Sequence, residues 1–218
     1  MPSNALTATR RRLPLRVNDG KRPIPLSRVY QLLEPGPVVL LTTAGAAGPN
    51  AMPMSWHTMM EFEPPLVGCA VSDRNHSFKT LLTTRECVLN IPTVELASKV
   101  VGCGNTSGRT VDKLRRFGFT PVPATQVEAR LLLECYASLE CKVVDTRMVA
   151  KYGFVVLRVV KAWLDLTRPN PETIHHLGRG RFMVAIWMNR GARRGWWWEG
   201  ALAPCSRCAP QGRQRDGP

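Results

Sequence analysis

Two long extended segments in the second half of the chain place the strongest constraint on its fold. Residues 131–145 and 154–165 are rich in leucine and valine, which favour strands when they pack on a pleated surface. Their long apolar runs are typical of strands buried on both faces, as in a closed barrel, and differ from the alternating pattern of a half-exposed sheet.

Shorter segments before these strands have their own patterns. The predicted strands are 38–43, 50–56, 66–72 and 87–91, and the predicted helices are 29–33, 75–84 (capped by Asn75 or Ser77), 95–101 and 112–117 (ended by Gly118). Apolar β-branched runs indicate the strands, and capping residues followed by apolar positions at helical spacing indicate the helices. The order of strands, two helices and strands again predicts a mainly β fold, a β-barrel with inserted helices.

The positive charge of the chain is concentrated at its two ends. The net charge is +14, to which residues 1–30 contribute +6, residues 185–218 contribute +4, and the much longer middle contributes only +4. A basic tail can hold a polyanion through counterion release. The middle has no recognition helix, zinc-finger spacing or RNA-binding aromatic signature, so we expect no specific nucleic-acid partner.

The cysteines and the apolar segments indicate where in the cell the protein works. There are seven cysteines, and only Cys205 and Cys208 have metal or dithiol spacing, without a second ligand pair. An odd count without a secretory signal indicates reduced thiols. No apolar run approaches the ~20 residues that span a bilayer. We therefore expect a cytoplasmic protein with no metal site and no membrane partner.

The usual catalytic signatures are missing from the sequence. There is no GxSxG, HExxH or Walker motif, and no GxGxxG that opens a helix after a strand. The glycine-rich stretch 101–108 follows a predicted helix and lacks the dinucleotide-binding frame. His175 and His176 are adjacent, so they cannot meet one metal from one helix face. No catalytic side chain is predicted.

Polar side chains cluster where predicted strands end. Asn50, Ser55, His57 and Thr58 end one predicted strand, and Ser72, Asn75 and Ser77 lie between the next strand and its helix. Hydroxyl groups beside the free N–H groups of a helix start predict a phosphate seat. Met54 and Trp56 add a flat, polarizable wall of the kind on which an aromatic cofactor stacks.

Several stretches together give the chain a family resemblance. They are 34–43, 50–67, 72–78, 86–92, 101–108 with Asp112 and Lys113, and 173–185. In combination they resemble the flavin reductase-like, FMN-binding split-barrel family, and within it the flavoredoxin-type proteins. The resemblance implies a Greek-key split barrel over residues 21–185, with a basic Pro/Arg-rich tail over 1–20 and an atypical Arg/Trp/Pro-rich tail over 186–218.

The same resemblance implies a homodimer with one FMN per subunit near the dimer interface. Transferred position by position, residues Met54 to Thr58 line the isoalloxazine ring and ribityl chain. Ser72, Asn75 and Ser77 hold the phosphate, Asn90 lies close to the flavin, Ser107, Gly108 and Lys113 approach the phosphate or the neighbouring subunit, and His175 and His176 face the flavin or nicotinamide region.

Three functions stay open at this point. The first is an oxidoreductase that passes electrons from NAD(P)H through bound FMN to free flavin or a partner protein, with the cofactor doing the chemistry. The second is a flavoredoxin-like electron-transfer protein that has no direct reaction with NAD(P)H. The third is a basic interaction module that uses its tails on nucleic acid or membrane.

Overall fold

The computed structural model of the chain describes residues 21–33, 36–46 and 48–186. The predicted tails, including the Cys205 and Cys208 pair, lie outside the described residues apart from Ile186. None of the described helices combines the length and apolar character needed to cross a bilayer.

Twelve strands and five short α-helices make up the described chain. The strands are β1 Lys21–Pro23, β2 Val39–Gly45, β3 Gly48–Met54, β4 His57–Phe62, β5 Pro65–Ala70, β6 Glu86–Ile91, β7 Pro121–Pro123, β8 Arg130–Leu132, β9 Ala137–Asp145, β10 Phe154–Asp165, β11 Thr173–Gly178 and β12 Arg181–Ala185. The helices are α1 Tyr30–Leu33, α2 His76–Thr84, α3 Ala97–Gly104, α4 Lys113–Arg116 and α5 Val149–Tyr152, with 3-10 turns at Leu26–Arg28 and Val94–Leu96.

One antiparallel sheet forms the barrel. Its strand order is β3-β2-β6-β9-β10-β5-β4, and β1 pairs with β10. In the described residues β3 and β4 are the two ends of this path, and no ladder joins them. The barrel is therefore split between β3 and β4, which are consecutive in the chain and linked only through Ser55 and Trp56. The predicted mainly β fold with inserted helices is confirmed.

The core fills both faces of the central strands. Leu41, Leu89 and Leu139 are directly opposed across β2, β6 and β9, and each is fully buried inside the barrel. Burying a side chain of this size contributes about 1.5–3 kcal/mol. The neighbouring Leu40 points the other way and packs with Val100 of α3. This second layer places α3 and α4 against the outer side of β3.

The structure corrects two strand predictions. His57 and Thr58 do not end the strand that contains Met54, because they begin β4, which pairs with β5. Apolar and polar residues alternate only weakly along β4, so the sequence does not mark it as a strand. Its position is set by pairing with β5. The segment predicted as one strand over 131–145 is two, because the chain turns after Leu132 and resumes pairing at Ala137.

Other elements agree more closely with the sequence. Asn75 is the N-cap position of α2, although its side chain makes no capping hydrogen bond. Asp112 caps α4 by accepting a hydrogen bond from the Arg115 N–H, and Gly118 has the predicted left-handed backbone with φ of 61°. The β11–β12 hairpin was not predicted as strands, and its turn uses three residues with positive φ, Gly178 to Gly180.

Candidate functional site

One cleft surrounds the end of β3 and has three connected parts. The basic part, about 370 Å³, lies between Asn50–Pro53, the start of α2 and residues 103–113. The wide part, about 860 Å³, lies between residues 52–56, residues 70–82 and α5. The hairpin part, about 310 Å³, lies between residues 53–55, α3 and the β11–β12 hairpin. Pro53 lines all three parts, so they meet at the end of β3.

A hydrogen bond between β3 and α2 forms the floor of the basic part. The Asn50 amide nitrogen donates to the Ser77 hydroxyl oxygen at 2.8 Å, and both residues are buried. Gly108 closes over this pair, because a Cβ at Gly108 would lie only 2.2 Å from Asn50 Oδ1. Ser77 is an acceptor in this bond, so its own O–H is left to point at a ligand.

A buried ammonium group is the main electrostatic feature of the basic part. Lys113 is 6% exposed and donates from Nζ to the carbonyl oxygens of Ala51 at 3.0 Å and Cys103 at 2.8 Å. Burial lowers the pKa of Lys113 and raises the pKa of the nearby Cys103 thiol to about 11. No carboxylate within the described residues forms an ion pair with Lys113. A buried positive charge of this kind favours an anion beside it.

Two arginines and the start of α2 add to the positive charge of the basic part. Asn75, His76 and Ser77 at the beginning of α2 line the basic part, and helix starts carry unpaired N–H groups and a partial positive charge. Arg74 and Arg109 line the same part. Arg109 donates to the Arg74 carbonyl oxygen at 3.2 Å, which ties residues 107–109 to the approach of α2.

The wide part has an aromatic and more open character. Trp56 lines it and is 73% exposed, an unusual exposure for an indole ring. Ser72 and Asn75 line it, and so do Lys151 and Tyr152 of α5. Gly153 permits this close approach of α5, because a Cβ there would meet the Val71 carbonyl oxygen at 2.7 Å.

The hairpin part is smaller and more apolar. His176 of β11 and Phe182 of β12 line one wall, with ring centroids 5.3 Å apart. Val100 and Val101 of α3 also line it. Ser55 is shared with the wide part.

The structure separates some predicted site residues from this cleft. His57 and Thr58 line a different pocket, beside β4 and Leu33. The His57 Nε2 atom donates to the Pro37 carbonyl oxygen at 2.7 Å, and Nδ1 is buried without a partner in the described chain. Burial lowers the pKa of His57, and the nearby His175 lowers it further.

His175 and Asn90 also belong to the interior. His175 is buried and its Nε2 atom lies 3.1 Å from the Thr173 hydroxyl, whereas the adjacent His176 faces the cleft. Asn90 is fully buried, donates to the Leu40 carbonyl and the Thr42 hydroxyl, and accepts from the Leu132 N–H and Ser138 hydroxyl. Asn90 therefore locks β2, β6 and β9 together, and we leave it out of the proposed cofactor site.

The cleft brings most of the predicted residues together and adds others. Asn50, Met54, Ser55, Trp56, Ser72, Asn75, Ser77, Ser107, Gly108, Lys113 and His176 all line it. Sequence reasoning missed Arg74 and Arg109, although Arg74 lies inside a stretch that supported the resemblance and Arg109 directly follows another. It also missed Tyr152 and Phe182, which reach the cleft from distant segments, although Phe182 lies inside the 173–185 stretch.

Comparison with known proteins identifies the family to which this chain belongs. The flavin reductase-like domain family matches residues 32–194, most of the chain, and this chain belongs to that family. An uncharacterised protein of Pyrococcus abyssi is 29% identical over 131 residues, which are 60% of this chain and 75% of that protein.

Solved structures support the same fold. An FMN-binding domain of a flavin reductase-like enzyme from Shewanella baltica aligns with a TM-score of 0.73 and 19% identity, covering 80% of this chain and 98% of that one. The flavoredoxin of Desulfovibrio vulgaris aligns with a TM-score of 0.64 and 18% identity, covering 73% and 91% of the two chains. The predicted split-barrel fold is confirmed by these likenesses.

Proposed function

We propose that this chain binds FMN in the cleft around β3 and acts as an oxidoreductase, taking electrons from NAD(P)H and passing them to free flavin or a partner protein. The observation that carries the proposal is the buried ammonium group of Lys113, which forms no ion pair with a carboxylate of the described residues. Lys113 lines the basic part of the cleft and Trp56 lines the wide part, and the two parts meet at the end of β3.

The basic part fits the phosphate group of FMN. A phosphate carries negative charge and several strong acceptor oxygens, and the basic part offers a buried ammonium, the start of α2 and the free O–H of Ser77. Arg74 and Arg109 add positive charge at its rim. The residues present are therefore donors and cations, which is the chemistry that a phosphate requires.

The end of β3 fits the flat part of the cofactor. In this proposal Met54, Ser55 and Trp56 hold the isoalloxazine ring, with Trp56 giving an aromatic face and Ser55 a hydroxyl hydrogen bond. When bound, FMN supplies the redox chemistry, and the protein supplies binding, orientation and electrostatics. No side chain is assigned as a nucleophile or proton donor.

An absorbance spectrum of the purified protein, followed by anaerobic addition of NADH or NADPH, tests this function. Flavin bands that bleach on addition support the reductase. Bands that persist until dithionite is added would replace it with the flavoredoxin-like electron carrier, which keeps the FMN and loses the nicotinamide step. A colourless protein that also fails to bind added FMN would overturn both.

We also propose that the chain forms a homodimer and works in the cytoplasm. Large apolar side chains stand exposed along the β11–β12 hairpin, and Leu177, Met183 and Ile186 are 50–61% exposed. Apolar surface of this kind favours a partner, and a second copy fits the dimer expected from the family resemblance. Five cysteines in the described residues are free thiols, which suits a reducing compartment.

A further inference from the structure

Three exposed cations line the basic and wide parts of the cleft. Arg74 lines both parts, Arg109 lines the basic part and Lys151 lines the wide part. None of the three forms an ion pair with a carboxylate of the described residues. Asp73 is the only carboxylate side chain that lines either part in the described chain. Arg74, Arg109 and Lys151, which we call the cationic rim, therefore carry a positive charge that no ion pair neutralises.

Hydrogen bonds to the backbone hold the three segments of the cationic rim together. The Val71 N–H donates to the Gly153 carbonyl oxygen at 2.8 Å, which places α5 and Lys151 beside the segment that contains Arg74. Arg109 Nη2 donates to the Arg74 carbonyl oxygen at 3.2 Å, which ties Arg109 to the same segment. The three cations are distant in sequence, and the positive surface is therefore a feature of the fold.

Two exposed aromatic side chains accompany the cationic rim. Trp56 and Tyr152 line the wide part and are 73% and 62% exposed. Lys151 Nζ lies 5.1 Å from the centroid of the Tyr152 ring. Tryptophan, tyrosine and arginine are enriched where protein partners bind, and they carry much of the binding energy there. The composition of this surface is therefore that of a protein-binding site.

The sign and extent of the charge restrict the partner. Opposite charges across an interface favour the encounter and like charges oppose it. A second copy of this chain, with a net charge of +14, is therefore a poor match for the cationic rim. A small anion in one part of the cleft reaches only some of these cations, whereas an acidic protein surface reaches all three. A nucleic acid would bring phosphates against Asp73, where a protein can place a cation.

We propose that the cationic rim docks an acidic, one-electron acceptor protein over the wide part of the cleft. Arg74, Arg109 and Lys151 face carboxylates of this partner, and Tyr152 packs against it. This inference deepens the proposed function and rests on it, because the docked protein is the partner that receives the electrons. Two acceptor molecules are reduced for each reduced flavin that is reoxidised, and the protons of the flavin pass to solvent.

Mitochondrial cytochrome c and its succinylated form make a matched pair of probes. They share one haem and one fold, and succinylation replaces the positive charges of lysines with carboxylates. Titration calorimetry on the full chain, with and without saturating FMN, measures the affinity for each form. At about 20 mM salt the acidic form is expected to bind at least tenfold more tightly in both states, and the difference should fall below about threefold at about 300 mM salt. Equal binding of the two forms at low salt would overturn the proposal.

Charge reversal separates the cationic rim from the general positive charge of the chain. Lys151→Glu is expected to weaken binding of the acidic cytochrome at least fivefold, and Asp73→Asn to tighten it about twofold. Arg158→Glu makes the same change in net charge at an exposed position of β10 outside the cleft, and should change the affinity less than twofold. Equal losses in Lys151→Glu and Arg158→Glu would overturn the location.

A single-stranded oligo(dT) tests the other class of polyanion. Nucleic acid that binds more tightly than the acidic cytochrome, and that also loses affinity in Lys151→Glu, would overturn the choice of a protein partner. Weaker binding of oligo(dT), or binding that Lys151→Glu does not change, supports the choice.

The two proposals fail in different ways. If the chain binds no FMN, the proposed function is wrong, and the titrations on the FMN-free protein still decide whether an acidic protein docks. If FMN binds but NAD(P)H does not reduce it, photoreduction of the flavin followed by anaerobic mixing with the acidic cytochrome still measures haem reduction. Docking without haem reduction would overturn the assignment of the partner as an electron acceptor.

Discussion

The Asn50 side chain donates a hydrogen bond to the Ser77 hydroxyl at 2.8 Å, and this bond joins the edge strand of the barrel to the first turn of α2. It fixes the Ser77 oxygen as an acceptor and leaves its hydrogen for a ligand. The two residues are far apart in sequence, and the barrel brings them together at the floor of the basic part of the cleft.

Ser77→Ala is expected to weaken FMN binding by ten- to a hundredfold, because a hydrogen bond to a charged group contributes about 1.5–3 kcal/mol. Riboflavin, which lacks the phosphate, should lose little affinity. Fluorescence quenching of each flavin measures both. Thr83→Ala removes a hydroxyl from the exposed side of the same helix and serves as the control. Equal losses for FMN and riboflavin would contradict a phosphate contact.

Lys113→Met is expected to lower FMN affinity at least tenfold, since it removes the buried charge of the basic part. Inorganic phosphate should raise the melting temperature of the wild-type protein and have no effect on the variant. Lys99→Met is the matched control, because Lys99 also donates to a backbone carbonyl, that of Gly118, outside the cleft. A phosphate effect that survives in Lys113→Met would place the anion elsewhere.

Trp56→Ala is expected to weaken FMN binding by more than tenfold through loss of ring stacking, with little change in stability because the side chain is 73% exposed. Equilibrium titration of FMN checks the affinity, and thermal unfolding checks the fold. Leu166→Ala, an exposed apolar truncation outside the cleft, controls for general surface effects. Unchanged FMN affinity would remove Trp56 from the binding site.

The buried Lys21 predicts a pH dependence of stability. Its Nζ donates to the Leu132 carbonyl at 2.7 Å and the Ser138 hydroxyl at 3.1 Å, and burial lowers its pKa from 10.5 to about 8. Between pH 8 and pH 10.5 the unfolded chain binds more protons at Lys21 than the folded chain does. The free energy of unfolding therefore rises with pH through this window, and this added stability is lost again as the pH falls to 8.

Comparison with Lys21→Met isolates this effect. The difference in unfolding free energy between wild type and variant should grow by roughly 2 kcal/mol between pH 7.5 and pH 10. Urea denaturation at a series of pH values measures it, and the titrating groups that do not interact with Lys21 cancel in the difference. Parallel pH profiles for the two proteins would show that the Lys21 pKa is not lowered by folding.

Met183→Asp and Ile186→Asp are expected to reduce a homodimer to a monomer of 24.3 kDa, because each places a charge at an exposed apolar position, Met183 in β12 and Ile186 directly after it. Light scattering after size-exclusion chromatography measures the mass. Leu166→Asp changes an equally exposed apolar residue elsewhere and should leave the dimer intact. A monomeric wild-type protein, or a dimer in all variants, would contradict an interface at the hairpin.

The sequence predicted the parts of the cleft that are local in the chain. The residues from Ser72 to Ser77 predicted the start of a helix with hydroxyl groups beside it. The structure has both the helix start and the hydroxyl groups at the cleft. The sequence could not tell which of two adjacent, similar side chains faces the cleft. His175 is buried and His176 lines the cleft, because the strand turns successive side chains to opposite faces.

By itself, the sequence determined a mainly β barrel with inserted helices, since long apolar runs and capping patterns follow from local chemistry. Only the tertiary structure decided that β4 is a separate strand, that Asn90 serves the interior, and that Lys113 is buried against the Ala51 carbonyl of β3. Phe182 and Tyr152 likewise reach the cleft from distant segments. The physical reason is that strand pairing and packing between distant segments set which side chains share a space, and no local pattern records them.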